Sequence, residues 1–189
     1  MYDTSDFRKG LKIEYNGEPY EIVDFQHVKP GKGNAFTRTR IKNLITGNVL
    51  DITLKSGEKV GKPDLEEKEM QFMYSEGDSY FFMDQQSYEQ IEINKETLGD
   101  ARLYLLENTV VQILFYKGKV IGIELPTFMD IQVAKTEPGV RGDTVSNTTK
   151  PAELTTGAKV QVPLFINEGD VIRIDTRTGE YIERVALKK

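Results

Sequence analysis

Short runs in which apolar and polar residues alternate fill the first third of the chain, and turn-forming residues separate them. Such alternation predicts β-strands with one face toward a core. Leu50, Ile52 and Leu54, for example, recur at a period of two and should share one face of a strand. The predicted strands in this part of the chain are residues 11–15, 20–28, 36–44 and 50–54. We therefore expect a small β-barrel at the N-terminus.

The middle of the chain follows a different order of predicted elements. Three strands at residues 70–74, 80–83 and 88–93 precede a helix at 95–106, and two more strands follow at 110–116 and 120–125. Three strands, a helix and two strands is the order of an OB barrel. A charged stretch rich in turn formers, residues 56–64, separates this part from the first.

The last third resembles a shortened copy of the middle. An apolar triplet, a polar residue and Glu-Gly-Asp occur at residues 72–78 and again at 164–170, so that the two Glu-Gly-Asp turns are 92 residues apart. Such spacing is typical of a duplicated barrel. We predict an all-β protein of three small barrels, with boundaries at residues 1–64, 65–126 and 127–189.

A hairpin tip lies between the second and third predicted strands. Its residues carry glycine on both sides of one lysine, and they are Lys29, Pro30, Gly31, Lys32, Gly33, Asn34, Ala35 and Phe36. Glycine permits backbone angles that are closed to other residues, and proline stiffens the chain. The tip should therefore hold the Lys32 ammonium out in solvent.

The charges around this tip have one sign. No Asp or Glu occurs from residue 25 to 50, whereas Lys29, Lys32, Arg38, Arg40 and Lys42 all lie there. The last three share a period of two and should line one strand face. A solvated strand face is the plain alternative, since exposed strands often carry Lys and Arg. The functional interpretation is a surface that faces a polyanion.

Charge is distributed unevenly over a formal net charge of −5. Residues 1–64 carry 11 Lys and Arg against 9 Asp and Glu, residues 65–126 carry 5 against 12, and residues 127–189 carry 9 against 9. Phosphate contacts dominate nonspecific affinity for nucleic acid. We therefore expect RNA contacts at chosen points of the N-terminal third and none on the acidic middle.

Several classes of function lack the residues they require. The chain has no cysteine and one histidine, His27, so thiolate chemistry and a histidine-rich metal site are excluded, and we expect neither a cofactor nor an enzyme. The tip sequence lacks the Ser or Thr that follows Gly-Lys in a P-loop. The N-terminus carries no apolar segment of a signal peptide, which predicts a soluble, cytoplasmic protein with no membrane contact.

Residues 142–166 resemble the elongation factor P family of bacterial translation factors. The frame consists of Lys150, Ala152, Gly157, Val160, Val162, Pro163, Ile166 and Gly169. Residues 179–185 continue this frame, and the tip Pro30-Gly31-Lys32-Gly33 stands where that family carries its functional lysine. The resemblance thus covers essentially the whole chain.

The resemblance implies a three-domain fold and a role on the ribosome. The fold would be an SH3-like barrel of the KOW type and two OB barrels, elongated like a tRNA and expected to be a monomer. The family binds the 70S ribosome beside the peptidyl-tRNA when synthesis stalls at consecutive prolines. The resemblance also implies a role for single residues. Lys32 would reach the CCA end after modification by an enzyme, helped by Lys29, Pro30, Gly31, Gly33, Asn34, Arg38 and Arg40.

Two further sites come from the same resemblance. Gly142, Asp143 and Thr144 match the loop that contacts the exit-site codon of the mRNA, and Tyr181 and Arg184 match a patch that faces tRNA and the small subunit. Two alternatives stay open beside this interpretation. One is a generic protein that binds single-stranded RNA, and the other is the elongation factor P-like paralogue, whose tip departs from the usual lysine pattern.

Overall fold

The chain folds as an all-β protein in a computed structural model that describes residues 1–139 and 148–186. Its strands form three larger sheets and one two-stranded sheet, which confirms the predicted fold class. The chain divides into two compact units. The first consists of Met1–Glu67 and Leu114–Gly122, and the second consists of Lys68–Ile113 and Ile123–Lys189. Within the described ranges, no helix is long and apolar enough to cross a membrane.

The N-terminal sheets hold six strands and one short 3₁₀ helix, Thr4–Asp6. The strands are β1 (Tyr2–Asp3), β2 (Lys12–Tyr15), β3 (Glu18–Val28), β4 (Phe36–Asn43), β5 (Val49–Lys55) and β6 (Lys59–Val60). Strands β2, β3, β4 and β5 pair in chain order as an antiparallel sheet, and β1 pairs with β6. A two-residue turn, Asn16–Gly17, joins β2 to β3 with φ values of 51° and 77°, and this left-handed geometry suits the twist of a hairpin.

The core of this part lies on the inner face of the four-stranded sheet. Buried apolar residues from five strands and from the segment before β2 pack together there, and they are Phe7, Leu11, Ile13, Tyr20, Ile22, Ile41, Leu54 and Val60. Leu50, Ile52 and Leu54 share the inner face as expected, because they lie opposite the buried Ile41, Thr39 and Thr37 of β4. Leu54 is buried, but Leu50 is 41% exposed because β5 forms the edge of the sheet and the core does not extend over its beginning.

A second sheet contains five strands, namely β7 (Leu65–Glu76), β8 (Ser79–Asp84), β9 (Gln90–Asn94), β10 (Val110–Tyr116) and β11 (Lys119–Glu124). Its spatial order is β11-β10-β7-β8-β9. The predicted strand at residues 88–93 begins two residues late, at Gln90. Tyr88 instead takes a φ of 62° in the preceding turn, where the Asp84 carboxylate accepts hydrogen bonds from the backbone N–H groups of Gln86 and Ser87.

The predicted helix at residues 95–106 is shorter and less regular than expected. Helix α1 covers Lys95–Leu98, and a 3₁₀ helix continues over Gly99–Tyr104. The Asn94 side chain caps α1 by accepting a hydrogen bond from the backbone N–H of Thr97 at 2.8 Å. Gly99 then takes a φ of 54°, a left-handed conformation that ends an α-helix.

The third sheet repeats the order of the second. It contains β12 (Phe128–Thr136), β13 (Thr149–Leu154), β14 (Lys159–Pro163), β15 (Val171–Asp175) and β16 (Glu180–Val185), arranged as β14-β13-β12-β15-β16. In both sheets the first strand of the set is central, with the second and third strands on one side and the fourth and fifth on the other. This shared order supports the predicted pair of related barrels.

The two Glu-Gly-Asp turns that suggested the duplication do not occupy equivalent positions in the two sheets. The Glu-Gly-Asp turn at residues 76–78 connects the first and second strands of its sheet, β7 and β8. The turn at residues 168–170 precedes β15, the fourth strand of its sheet. The same turn chemistry serves both, since Gly77 and Gly169 have φ values of 59° and 90°, but the 92-residue spacing does not measure a repeat.

The segment that follows α1 packs against the core of the third sheet. Leu103, Tyr104 and Leu106 cover a cluster that includes the fully buried Ile131, Val162, Ile166, Ile172 and Ile174. The third sheet has no helix of its own between β14 and β15. Apolar side chains supplied by the preceding part of the chain therefore complete its core.

A substitution at Gly179 tests the packing of Tyr104 against the third sheet. The φ of Gly179 is 76°, and an added Cβ would lie 2.7 Å from the Tyr104 hydroxyl oxygen. Gly179→Ala should therefore combine backbone strain, about 1–2 kcal/mol, with a steric clash. Gly157→Ala is the matched control, because its φ is 88° and nothing lies within 4 Å of the added Cβ.

Urea denaturation should show that Gly179→Ala loses more free energy of unfolding than Gly157→Ala. Tyr104→Phe should cancel this difference, because the next ring atom of Tyr104 lies 3.9 Å from the added Cβ. Equal losses in the two alanine variants would show that the Tyr104 contact with Gly179 does not constrain the fold.

Candidate nucleic-acid interface

The predicted tip closes a long antiparallel hairpin. Strands β3 and β4 stay paired up to Val28 and Phe36, and residues 29–35 connect them. Of the two glycines beside Lys32, Gly33 alone takes a left-handed φ, 107°, so the expectation that both use this freedom is wrong for Gly31. Paired strands up to the last residue before the loop make the arm stiff.

Lys32 is exposed at the end of this arm. Its side chain forms no hydrogen bond or ion pair with any residue in the described parts of the chain, and the same holds for Lys29. Both ammonium groups are therefore available to a partner. Lysine presents three N–H donors on a flexible stem, and a partner must order that stem, with about 2 kcal/mol of rotamer entropy to lose.

The outer face of the N-terminal sheet leads from this tip toward the other end of the arm. Strand β4 alternates strictly, so that Thr37, Thr39 and Ile41 are buried while Arg38 and Arg40 are exposed. The predicted cationic face therefore exists. Both arginines line a cavity of about 300 Å³ together with Asp24, Phe25, Gln26, Thr39, Asp51 and Thr53.

Arg38 keeps its charge available to a partner. Its cross-strand neighbours are Gln26 on β3 and Thr53 on β5, neither of which carries a charge. The guanidinium carbon lies 5.5 Å from the centre of the Phe36 ring, within the range of a cation–π contact. This contact orients the group along the outer face and leaves its N–H donors free to bind an anion.

Arg40 differs from Arg38, because a carboxylate pairs with it. Its Nε and Nη2 atoms donate to the two carboxylate oxygens of Asp51 at 2.9 Å and 3.3 Å. Hydrogen bonding to Arg40 holds the pKa of Asp51 below its ordinary value of 3.8, and the same bonds raise the pKa of Arg40. Arg40 is thus part of the predicted face, but its charge is largely neutralised.

His27 lies on the inner side of the same arm. Its Nδ1 atom is 2.9 Å from the Thr37 hydroxyl oxygen, and its ring meets Phe25 edge to face at 5.4 Å. These contacts fit the interpretation of His27 as a structural residue of the strand. Among the described residues, no group of three His, Cys, Asp or Glu side chains could hold a metal ion.

The predicted codon-contacting loop, Gly142, Asp143 and Thr144, lies outside the described residues. Its two flanks are described and are held together. Lys150 is 7% exposed, and its ammonium donates to the backbone oxygen of Glu137; the Thr136 hydroxyl donates to the Pro151 oxygen at 3.0 Å. Gly139 also lies against the backbone of Leu164, where a Cβ would not fit.

The predicted C-terminal patch contains one partly buried residue and one exposed residue. Tyr181 packs against the core of the third sheet, opposite Ile174. Arg184 is exposed, with its Nη1 atom 3.9 Å from a carboxylate oxygen of Asp170 and its guanidinium carbon 5.4 Å from the centre of the Phe165 ring.

The sequence pattern does not identify Phe165 as a surface residue, because it belongs to an apolar run at residues 162–166, and such a run predicts a buried segment. It is nevertheless 57% exposed, with Arg184 over its ring. Residue type alone gives no signal for this arrangement, because Phe165 follows β14 in a connection whose next residue, Ile166, is fully buried, and only the tertiary packing decides which of the two is covered.

Two solved structures of proteins from other organisms have a similar fold. A structure titled eukaryotic translation initiation factor 5A from Methanococcus jannaschii has a TM-score of 0.55 and 23% identity, over 66% of this chain and 90% of that one. A family protein of the same factor from Naegleria fowleri has a TM-score of 0.52 and 17% identity, over 66% of this chain and 96% of that one. At these identities the likeness shows the fold.

Family models cover nearly the whole chain. The model of the elongation factor P KOW-like domain matches residues 3–60, that of the elongation factor P OB domain matches 65–123, and that of the elongation factor P C-terminal domain matches 129–184. The elongation factor P of Bdellovibrio bacteriovorus is 57% identical over 188 residues, with both chains covered completely. That of Thermodesulfovibrio yellowstonii is 57% identical over 185 residues, 98% of this chain and 99% of the relative.

These matches define the class of protein as a translation elongation factor with KOW-like and OB domains. The chain belongs to the elongation factor P family.

The different environments of the two arginines lead to a direct test on RNA. Arg38→Gln should weaken binding to a tRNA at low salt and reduce the slope of log K against log salt by roughly 0.7–0.9, the value for one lost phosphate contact. Arg40→Gln, the matched control, should change both quantities less, because Asp51 already neutralises Arg40. Equal effects in filter-binding titrations would contradict this distinction.

The ion pair between Arg40 and Asp51 also predicts a pH effect. Because the folded-state pKa of Asp51 is lowered, its contribution to stability is present above the unfolded pKa and is lost as the pH falls through the folded value. Carbon-13 NMR titration should show the Asp51 carboxyl titrating below 3.8, and in Arg40→Gln it should return toward that value. An unchanged titration in the variant would mean that Arg40 does not form this ion pair in solution.

Proposed function

We propose that this factor binds the 70S ribosome beside the peptidyl-tRNA and uses Lys32 to position the CCA end for peptide-bond formation at consecutive prolines. Membership of the elongation factor P family supports the proposal. The single observation that carries it is the exposed Lys32 ammonium without a partner in the described chain, at the end of an arm paired up to Val28 and Phe36. Such a group can bind RNA without first breaking a contact in its own protein.

Positioning is a sufficient physical basis for this function. Proline is a constrained, poor nucleophile, and a disordered acceptor end slows the reaction further. Holding two reactants in place can lower a barrier by about 7–11 kcal/mol in favourable systems, and each 1.36 kcal/mol is tenfold in rate. The factor needs to supply only a small part of this, while the ribosome carries out the chemistry. The factor acts in the cytoplasm as a monomer, without a cofactor.

The tip residues have different roles, which follow from their chemistry. Lys32 supplies the hydrogen-bond donor that reaches the CCA end, and Lys29 supplies a second cation. The shape of the loop is set by Pro30, Gly31, Gly33 and Asn34. Arg38 contacts the RNA backbone along the arm, and Arg40 contributes less because of its ion pair with Asp51. A modifying enzyme extends Lys32, since further hydrogen-bonding groups on a longer arm would offset the entropy lost on ordering.

Contacts made by the C-terminal domain complete the proposed footprint. Gly142, Asp143 and Thr144 contact the exit-site codon of the mRNA, and Arg184 with Tyr181 faces tRNA or the small subunit. The three domains we assign to these roles are residues 1–64, 65–126 and 127–189.

Translation of a reporter with consecutive prolines tests the proposal. Modified protein should relieve the stall, unmodified protein should bind and relieve it poorly, and Lys32→Ala should lower the rescue rate at least about tenfold, or 1.36 kcal/mol. Lys159→Ala removes an exposed lysine from the third sheet and is the control that should act like the native chain. Equal rescue by all four proteins would refute the proposal. If none of the four proteins changes the stall relative to a reaction without factor, a generic RNA-binding protein is favoured.

A further inference from the structure

A second cationic cavity lies on the N-terminal unit, away from the residues of the tip. Its volume is about 300 Å³, and its lining includes Arg8, Lys12 and Lys62 together with Tyr2, Pro63 and Leu65. None of the described residues that line it is acidic. Three cations around one concavity create a stronger local potential than the same charges spread over a convex surface.

These three cations have no carboxylate partner among residues 1–139 and 148–186. Arg8, Lys12 and Lys62 form no ion pair with any residue of the described chain, whereas the neighbouring Lys9 pairs with Asp24 at 3.4 Å. Two carboxylates lie beside Lys12 on its face of the sheet: Glu21 is its cross-strand neighbour, and Glu14, two positions along β2, pairs with Lys117 at 3.8 Å. Glu21 also pairs across the sheet with Lys42, so it lies between two lysines and leaves an excess of positive charge.

The cavity continues the cationic outer face of the arm. Strand register places Lys12, Glu21, Lys42 and Val49 in one cross-strand row of that face, and it places Val28, Phe36 and Lys55 in the row next to the tip. The two rows are six positions apart on β4, a span of about 20 Å at the rise of a strand. Lys12 therefore belongs both to the face that ends at the tip and to the cavity at its other end.

From this arrangement we propose that the cavity formed by Arg8, Lys12 and Lys62 is a second RNA-binding site, which holds the phosphate backbone at the end of the sheet remote from Lys32. Arg and Lys contacts to phosphate fix position without reading sequence. A guanidinium can also bind a phosphate through two parallel N–H bonds. Anchoring at both ends of a stiff sheet would restrict the rotation of the arm and so define where the tip lies.

RNA is the partner that the charges favour. Lys12 shares its outer face with Arg38 and the tip, which we assign to tRNA, so the inference rests on the proposed function. An acidic protein surface would satisfy the same cations, and the experiment below is designed to tell the two apart. The required chemistry is a phosphodiester backbone, which either tRNA or ribosomal RNA can supply.

The test compares two triple variants of the full chain. The cavity variant is Arg8→Gln, Lys12→Gln and Lys62→Gln. The control variant is Lys95→Gln, Lys119→Gln and Lys159→Gln, which replaces three exposed lysines elsewhere and changes the net charge equally. Arg8→Gln and Lys62→Gln are also measured singly, because both positions lie outside the strands and should leave the fold intact.

Binding to 70S ribosomes with peptidyl-tRNA in the P site is measured over a range of KCl concentrations. The cavity variant should bind at least about tenfold more weakly than the control at low salt, and its slope of log K against log salt should be smaller by roughly two, since each phosphate contact contributes about 0.7–0.9. Each single variant should show about a third of this change. The maximal rescue rate at saturating factor should not change.

Two further arms identify the source of the phosphate. Ribosomes without P-site tRNA should abolish the difference between the variants if tRNA supplies the phosphates, and should keep it if ribosomal RNA does. Free tRNA at low salt should also distinguish the cavity variant from the control. A loss on ribosomes without any loss on RNA, or equal affinity and slope in the two triple variants, would overturn the proposal.

Failure of the proposed function would look different. Lys32→Ala, measured in parallel, should lower the maximal rescue rate and leave the salt slope nearly intact. If Lys32→Ala has no effect on rescue while the cavity variant still loses salt-dependent binding to RNA, the role of the tip is wrong and the second site stands.

Discussion

Strict two-residue alternation along β4 is the constraint on which the rest of the N-terminal unit depends. Thr37, Thr39 and Ile41 are at most 2% exposed on one side of this strand, while Arg38 and Arg40 are exposed on the other. A slip of one residue would bury two guanidinium groups without partners, which is strongly unfavourable. The burial of three small or branched side chains therefore fixes which face is cationic, and pairing with β3 carries that face to the tip.

Charge pairing then separates structural cations from those available to a partner. Arg40, Lys117 and Arg173 each pair with a carboxylate of the fold, Asp51, Glu14 and Asp130 respectively. Lys32 and Arg38 do not pair with a carboxylate of the described chain. Exposed ion pairs contribute little to stability, so their main consequence here is electrostatic. They neutralise positive charge at these three positions, whereas Lys32 and Arg38 keep theirs available to a polyanion.

Much of this could be predicted from the sequence, because local patterns determine it. Period-two alternation located the strands, and the glycines around Lys32 located the tip. Features that depend on tertiary contacts could not be predicted. The pairing of Arg40 needs the register of β5, the exposure of Leu50 follows from its place on an edge strand, and Phe165 is exposed although the next residue, Ile166, is buried. The Glu-Gly-Asp match misled because a turn motif recurs wherever a left-handed glycine is needed, whether or not the positions are equivalent.

The central claim is that Lys32 accelerates the reaction by ordering the acceptor end and takes no part in the chemistry. Measuring the rate of proline–proline bond formation against temperature, at saturating factor and without it, tests this most directly. If the factor orders the acceptor end before the bond forms, it should make the activation entropy less unfavourable and change the activation enthalpy little. A gain confined to the activation enthalpy, with the entropy unchanged, would contradict the account and would assign Lys32 a part in bond making.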